Sequence, residues 1–277
     1  MKNKDNSHIA RNTKTSDPEL PSIAQNPFTV VNDKGTASVL IICDHASAHV
    51  PSAYNGLGLG AEQLRRHIAW DIGAGEVSRR LAASLDAPAV LCGTSRLVID
   101  CNRPFWAESS IPPQSDGTAI PGNAGLDETE RQRRIDQYFS PYHDEISRRI
   151  GTMRQQGSSP APTAPLALIS IHSFTPVMDG FQRPWHVGML WDQDDRLAKP
   201  VVDALRQDPD LCVGENKPYD GSNPPGYALQ THAADNGLPI AVFEIRQDLI
   251  DSEQGAAKWA KILADALTPA LILTLSE

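Results

Sequence analysis

Ser38-Val-Leu-Ile-Ile-Cys-Asp-His-Ala-Ser47 sets an unbroken apolar, β-branched run against an abrupt polar end. A strand buried on both faces reads this way, because helices packed on each side of a parallel sheet remove the in–out alternation of a half-exposed strand. The pattern recurs at 166–171, which closes on His172-Ser-Phe174, and at 238–245, which carries Glu244. Further strands are expected at 88–92, 96–101 and 186–191. Between the strands, apolar residues fall near a 3.6-residue spacing over 61–85 (Leu64, Ile68, Ile72, Val77, Leu81, Leu85), and helical segments are also expected at 126–150, 196–205 and 253–267. Asp127, with Glu130 three residues on, marks a capping box at the start of the second of these helices. Strands alternating with helices predict an α/β fold, with a mixed, mainly parallel sheet sandwiched by helices. In such sheets the working groups gather at the carboxyl ends of strands, and here those ends carry Asp44-His45, His172 and Glu244.

The chain has 277 residues and is 40% hydrophobic, enough to bury one large core. Residues 1–28 read as a polar, disordered arm and 29–277 as a single catalytic domain. Loops rich in Pro, Gly, Ser and Asn are expected at 103–123 and 218–226, with a Ser/Pro/Ala linker at 157–165. A net charge of -9 argues against nucleic acid as a partner. No apolar run is long enough to span a membrane, and the start lacks the layout of a secretory signal. Cys43, Cys92, Cys101 and Cys212 form no CxxC pair. Three of them lie in apolar runs, which fits a reduced, cytoplasmic protein and speaks against a cysteine metal site.

A polar side chain at the end of a buried strand is costly unless it is paired or ligated. For His45 or His172 alone, a turn histidine bonded to backbone is the plainer account. Taken with Glu244, they match two imidazoles and a carboxylate around zinc, with one position left for water. Glu244 and Arg246 share a strand face, so an ion pair between them competes with a role for Glu244 as general base. Arg96 and Arg103 bracket an apolar run; they are either exposed charge or an anion site built on guanidinium forks. Asp71, just before Gly73 and Gly75, caps a helix or turns inward as a ligand, and spacing alone favours the cap. His67 and His143 read as structural, and His49 as a loop residue. His186 and His232 are at most substrate contacts. Ser47 and Ser173 lack the Gly-x-Ser-x-Gly elbow of a serine hydrolase.

Five segments together resemble the N-formylglutamate amidohydrolase family: Cys43-Asp-His-Ala-Ser47, His67-Ile-Ala-Trp-Asp-Ile-Gly-Ala74, Ser95-Arg-Leu-Val-Ile-Asp-Cys-Asn-Arg-Pro104, Ser170-Ile-His-Ser-Phe-Thr-Pro176 and Phe243-Glu-Ile-Arg-Gln-Asp248. The likeness runs in order over about residues 37–268. More distantly, Ser170-Ile-His-Ser173 is similar to the segment of the second metal histidine in zinc carboxypeptidases. Phe243-Glu-Ile-Arg246 is similar to the strand of their general base, and Asn102-Arg103 to the pair that holds their substrate carboxylate. The resemblance implies a phosphorylase/hydrolase-like three-layer α/β/α sandwich and one Zn2+ per chain. It implies Glu244 and Arg96 as catalytic residues, and Asn102, Arg103 and Arg246 as contacts of a small anionic N-acyl amino acid. Those peptidases carry a glutamate ligand three residues after their first histidine, where this chain has Ala48. Asp71 therefore joins His45 and His172 as the expected third ligand, with Asp44 as the alternative. Formylglutamate, other N-acyl amino acids and small peptides all remain open as substrates, and a non-catalytic anion-binding protein of the same fold is the competing class.

Overall fold

The computed structural model describes residues 26–156, 166–222 and 226–276. In chain order the strands are Phe28–Val31 (β1), Val39–Cys43 (β2), Ala89–Cys92 (β3), Gln114–Ser115 (β4), Thr118–Ala119 (β5), Ala167–Phe174 (β6), Val177–Met178 (β7), Phe181–Gln182 (β8), Val187–Leu190 (β9), Val213–Glu215 (β10) and Ile240–Arg246 (β11). The helices are Ala61–Leu64 (α1), Ala74–Leu85 (α2), Glu128–Arg134 (α3), Ser140–Gln156 (α4), Ala198–Leu205 (α5) and Glu253–Leu275 (α6). Seven strands form one sheet in the order β1-β3-β2-β6-β11-β9-β10, while β4-β5 and β7-β8 are small hairpins. The β3-β2-β6-β11 centre is parallel, and antiparallel pairs join β1 to β3 and β9 to β11. The expected mixed, mainly parallel α/β sheet is present.

Every residue of β2 is buried. Val39, Ile41 and Cys43 pack with α2, α5 and α6, through Val77, Leu81, Val201, Trp259 and Leu263 among others. Leu40 and Ile42 face the opposite way and pack with Tyr142, Ile146 and Ile150 of α4. The absence of alternation in the sequence thus reflects helices on both faces. At about 1.5–3 kcal/mol for each large side chain removed from water, this double burial fixes the strand's place and register. The same two-sided packing holds β6 and β11.

The boundaries differ from the sequence expectations where side chains far along the chain decide the backbone. The segment 96–101 is not a strand. Leu97 and Val98 pack with Leu57, Ile68 and Ile120 in a separate small core, and Ile99 and Cys101 join the α4 side, so the run is a buried loop with no place in the sheet. The helix expected over 61–85 is two helices joined by turns. Gly73 breaks it with a φ of 80°, and a Cβ there would lie 2.2 Å from the carbonyl oxygen of Ile250. The helix expected over 126–150 begins as predicted, with the Asp127 side chain accepting from the Glu130 N–H, and passes through a π turn at Ile135–Phe139 into α4. α6 runs on past residue 267 because Ala270 and Leu271 continue its buried face. β1 and β10, short strands at the two sheet edges, were not anticipated, and Phe28 of the expected arm begins β1. The rest of that arm up to residue 25, and the 157–165 linker, lie outside the described residues. Cys43, Cys92 and Cys101 are buried, Cys212 is exposed, and all four are free. Among the described residues no helix is long and apolar enough to cross a membrane.

Candidate metal and active site

Three neighbouring parallel strands bring their carboxyl ends to one side. Ile42 of β2 pairs with Ser170 of β6, and His172 of β6 pairs with Glu244 of β11. Side chains two apart share a face, so Ser170 and His172 continue the row of Leu168, and Glu244 continues that of Ile240 and Val242, all on the α4 side. His172 lies inside β6, which extends to Phe174 beyond its expected end. His45 follows β2 by two residues. Asp71 arrives from the turn before α2, where its N–H bonds to the His45 carbonyl at 3.0 Å. Gly75 lets that turn lie close, since a Cβ there would sit 3.0 Å from the Ala46 carbonyl oxygen.

Asp71 Oδ2 lies 2.8 Å from His172 Nδ1 and 3.3 Å from His45 Nδ1, and accepts from the Ser173 N–H at 3.3 Å. The three side chains are buried, and their ligand atoms lie within 4.8 Å of one another. Each imidazole turns Nδ1 to Asp71 and is backed at Nε2 by oxygen: Asp100 Oδ1 at 2.7 Å for His45, Ser170 Oγ at 3.1 Å for His172. Metal-ligating histidines are oriented in this manner, with the second ring nitrogen held by a carboxylate or another oxygen. Tetrahedral bonds of about 2.0–2.1 Å put ligand atoms roughly 3.3 Å apart, close to the 2.8 and 3.3 Å at which Asp71 Oδ2 stands from the two imidazoles. Two carboxylate oxygens in the buried surround, Glu244 Oε2 and Asp44 Oδ2, have no hydrogen-bond partner among the described residues. A divalent cation fits this donor set and would offset its excess of negative charge.

The cap role considered for Asp71 does not hold, because Gly73 is the N-cap of α2 and no side chain caps it. Asp44, the alternative ligand, stands behind His172: Oδ1 accepts from the Tyr142 hydroxyl at 2.8 Å, and Oδ2 lies 3.4 Å from His172 Nε2, an ion-pair distance without hydrogen-bond geometry. Electrostatics follow from this crowding. Burial opposes charge on every group, yet the two imidazoles hold Asp71 well below the usual carboxylate range. His172 is raised well above the ordinary histidine value because Asp44 and Asp71 outweigh its burial. His45 is raised too, with Asp100 and Asp71 overcoming burial and Arg96. Glu244 goes the other way: burial, helped by Asp71 and opposed by the imidazoles, pushes it up to about 7.

A cleft of about 330 Å³ opens on these groups and is also lined by Arg96, Asn102, Arg103 and Tyr219. Arg96 grips Asp100 through Nη2 at 2.7 Å and Nε at 3.1 Å, and reaches Asp71 Oδ1 at 3.4 Å, so most of its donors are spent bracing the carboxylates. The Asn102 amide is fixed by accepting from the Ala228 N–H, and the bare Gly226 lies against it. Among the described residues the Arg103 guanidinium makes one hydrogen bond, to the Asn102 carbonyl at 3.3 Å, and no ion pair. Arg246 pairs with Asp248 at 2.8 Å rather than with Glu244, and does not line the cleft. His143 and His232 bond to each other at 2.8 Å, and His143 to the Cys101 carbonyl at 2.9 Å. The Ser173 hydroxyl donates to the Ile72 carbonyl, leaving no base-activated serine there.

Sequence reasoning missed Asp100, Ser170 and Tyr219. Asp100 had a legible signal, an acid closing an apolar run in the manner of Asp44. Tyr219 had none, since its loop reads only as Pro/Gly-rich.

A family model described as N-formylglutamate amidohydrolase matches residues 37–251. A gene product of Agrobacterium tumefaciens of solved structure is 38% identical, with a TM-score of 0.83 over 89% of this chain and 95% of its own. The N-formylglutamate amidohydrolase of Ralstonia eutropha JMP134 is 18% identical and shares the fold, with a TM-score of 0.61 over 89% of this chain and 98% of its own. No curated protein matches the chain.

Proposed function

The chain belongs to the N-formylglutamate amidohydrolase family, and on that premise we propose that it hydrolyses the amide bond of an N-formyl or N-acyl amino acid, with zinc held by His45, Asp71 and His172. The observation that carries this reading is the meeting of His45 Nδ1, His172 Nδ1 and Asp71 Oδ2, all buried, beside a carboxylate of Glu244 that has an oxygen without a partner among the described residues. Zinc so held supplies a Lewis acid that brings the pKa of a water towards neutrality and polarises the amide carbonyl. Glu244, which burial pushes up to about 7 in the metal-free protein, takes the water proton as oxygen attacks the acyl carbon and returns it to the departing nitrogen. Arg103, with no ion-pair partner among the described residues, holds the amino-acid carboxylate, and the fixed Asn102 amide orients it. Arg96 acts through Asp100 and Asp71 by keeping His45 and the ligand carboxylate in place. Arg246 has no part in this reading, since Asp248 holds it outside the cleft.

Two measurements test it: the metal content of the purified protein, and release of formate from N-formylglutamate and of other acids from a panel of N-acyl amino acids, before and after chelation. About one equivalent of zinc per chain and turnover abolished by chelation support the reading. Protein that binds no divalent metal, or turnover indifferent to chelator, overturns it.

A further inference from the structure

The cleft is bordered by a loop that none of these roles uses. Residues 216–221 fold back over the end of β9 and are bonded to it. Asn216 donates its N–H to the Met189 carbonyl at 2.9 Å, and its Oδ1 accepts from the N–H groups of Trp191 at 3.0 Å and Gly221 at 3.3 Å. Two glycines permit the contact: a Cβ on Gly188 would lie 1.7 Å from the Lys217 carbonyl oxygen, and one on Gly221 would lie 2.6 Å from that of Trp191. The loop carries Tyr219, which lines the metal-site cleft and also a neighbouring cavity of about 530 Å³ that shares Arg96 and Arg103.

Arg183, which follows β8, is buried and has no carboxylate at ion-pair distance among the described residues. Its Nη1 donates to the Tyr219 hydroxyl at 3.3 Å and reaches the Thr175 carbonyl and hydroxyl at 3.4 Å, with its guanidinium 5.1 Å from the centre of the Tyr219 ring. A guanidinium has only donors, so the phenol oxygen must accept in this bond. The phenol's own proton is then directed away from Arg183, and among the described residues no acceptor takes it. Burial, and after it the negative charge of Glu244, hold the phenol above its ordinary value in spite of Arg183, so it keeps that proton.

We propose that Tyr219 is a catalytic residue of the hydrolysis argued above, on which this assignment rests. Its O–H donates to the oxygen of the scissile carbonyl and holds the negative charge that gathers there, and Arg183 is the residue that positions it. The proton stays on the phenol and no bond to it is made or broken. Two features assign the hydroxyl to the carbonyl rather than to the substrate carboxylate. Arg103 already offers an uncommitted cation for the carboxylate, whereas most of Arg96's donors are held by Asp100 and Asp71. A neutral donor beside Glu244 is also best used on charge that exists only in the transition state.

The test compares the zinc-loaded wild type with Tyr219→Phe, a change at a partly exposed ring that leaves packing intact. Removing one such donor lowers kcat by about 10²-fold, with KM within about twofold and zinc content unchanged. Affinity for a phosphonate analogue, whose tetrahedral P–O group replaces the scissile carbonyl, should fall in parallel, while affinity for the free amino acid product stays the same. Arg183→Met should reproduce the loss in kcat, and the double variant should lose little more. Unchanged kcat and phosphonate affinity in Tyr219→Phe would overturn the assignment alone. So would a raised KM with weakened amino acid binding at unchanged kcat, which puts the hydroxyl on the carboxylate. A wild type that holds zinc but cleaves no N-acyl amino acid overturns the hydrolase reading and the assignment together.

Discussion

At the scale of single residues, the site is built from side chains whose burial is tolerable only in company. Asp71 is kept ionised by two imidazoles, and the imidazoles are kept in one orientation by Asp100 and Ser170 at their far nitrogens. Glu244 is the exception, buried with one oxygen unpartnered among the described residues and pushed up to about 7. A base needs its proton off to start the reaction and on to finish it, and a value near the working pH serves both demands. Glu244→Gln keeps shape and volume but removes the carboxylate proposed as the base. It should leave the zinc equivalent in place and lower kcat by about 10²–10⁴-fold, the usual contribution of a general base. Activity should also climb with pH through the Glu244 titration in the wild type, below pH 7 once a neighbouring cation favours the carboxylate, and that limb should be missing from whatever activity the variant retains. Near-native kcat in Glu244→Gln would remove the base from the mechanism.

At the scale of elements, what could be read from the sequence was what depends on nearest neighbours and burial. β2, β6 and β11 are legible because five to eight consecutive residues each lose their water, and the polar groups that end those runs, His45, His172 and Glu244, stand out against them. Asp71 was only half legible: the glycines beside it mark a helix start, but that its carboxylate turns inward depends on Gly73 fitting under Ile250, a contact 177 residues distant in sequence. The run 96–101 misled because a buried loop and a buried strand have the same composition, and its burial comes from Leu57, Ile68, Ile120 and the α4 side rather than from pairing in the sheet. The Tyr219 loop was not legible at all, since its position depends on a missing side chain at Gly188 in another element. That dependence can be tested. Gly188→Ala drives a methyl group into the Lys217 carbonyl, so the loop must move even where the sheet holds. We expect a loss of about 1–3 kcal/mol in urea unfolding, typical of overpacking, and a fall in kcat like that of Tyr219→Phe, with zinc stoichiometry retained. Full activity in a folded Gly188→Ala protein would show that the loop's seat on β9 does not matter.

At the scale of the whole molecule, the His45–Asp71–His172 group ties together the end of β2, the turn before α2 and β6, with Glu244 of β11 alongside, so its electrostatics bear on global stability. Glu244 titrates near 4.5 when unfolded and near 7 in the metal-free folded protein. The folded state therefore binds this proton more tightly than the unfolded chain does. Stability from this group is full below about pH 4.5, drains as pH rises towards 7, and stays at its minimum above that. The difference corresponds to about 3 kcal/mol at neutral pH. The zinc proposed for this site would reverse the balance, both by favouring the carboxylate and by binding only the folded chain, which adds about 2.7 kcal/mol at a hundredfold excess over Kd. Chelated Glu244→Gln protein should accordingly be more stable than chelated wild type at pH 8, by up to that amount, with the advantage shrinking to nothing near pH 4.5. His45, Asp71 and His172 titrate in both proteins, so to first order the difference between the two urea curves isolates Glu244. A Glu244→Gln variant no more stable than wild type at pH 8 without metal would mean that the buried carboxylate carries no such strain, and the case for a base tuned towards neutrality would then have to rest on kinetics alone.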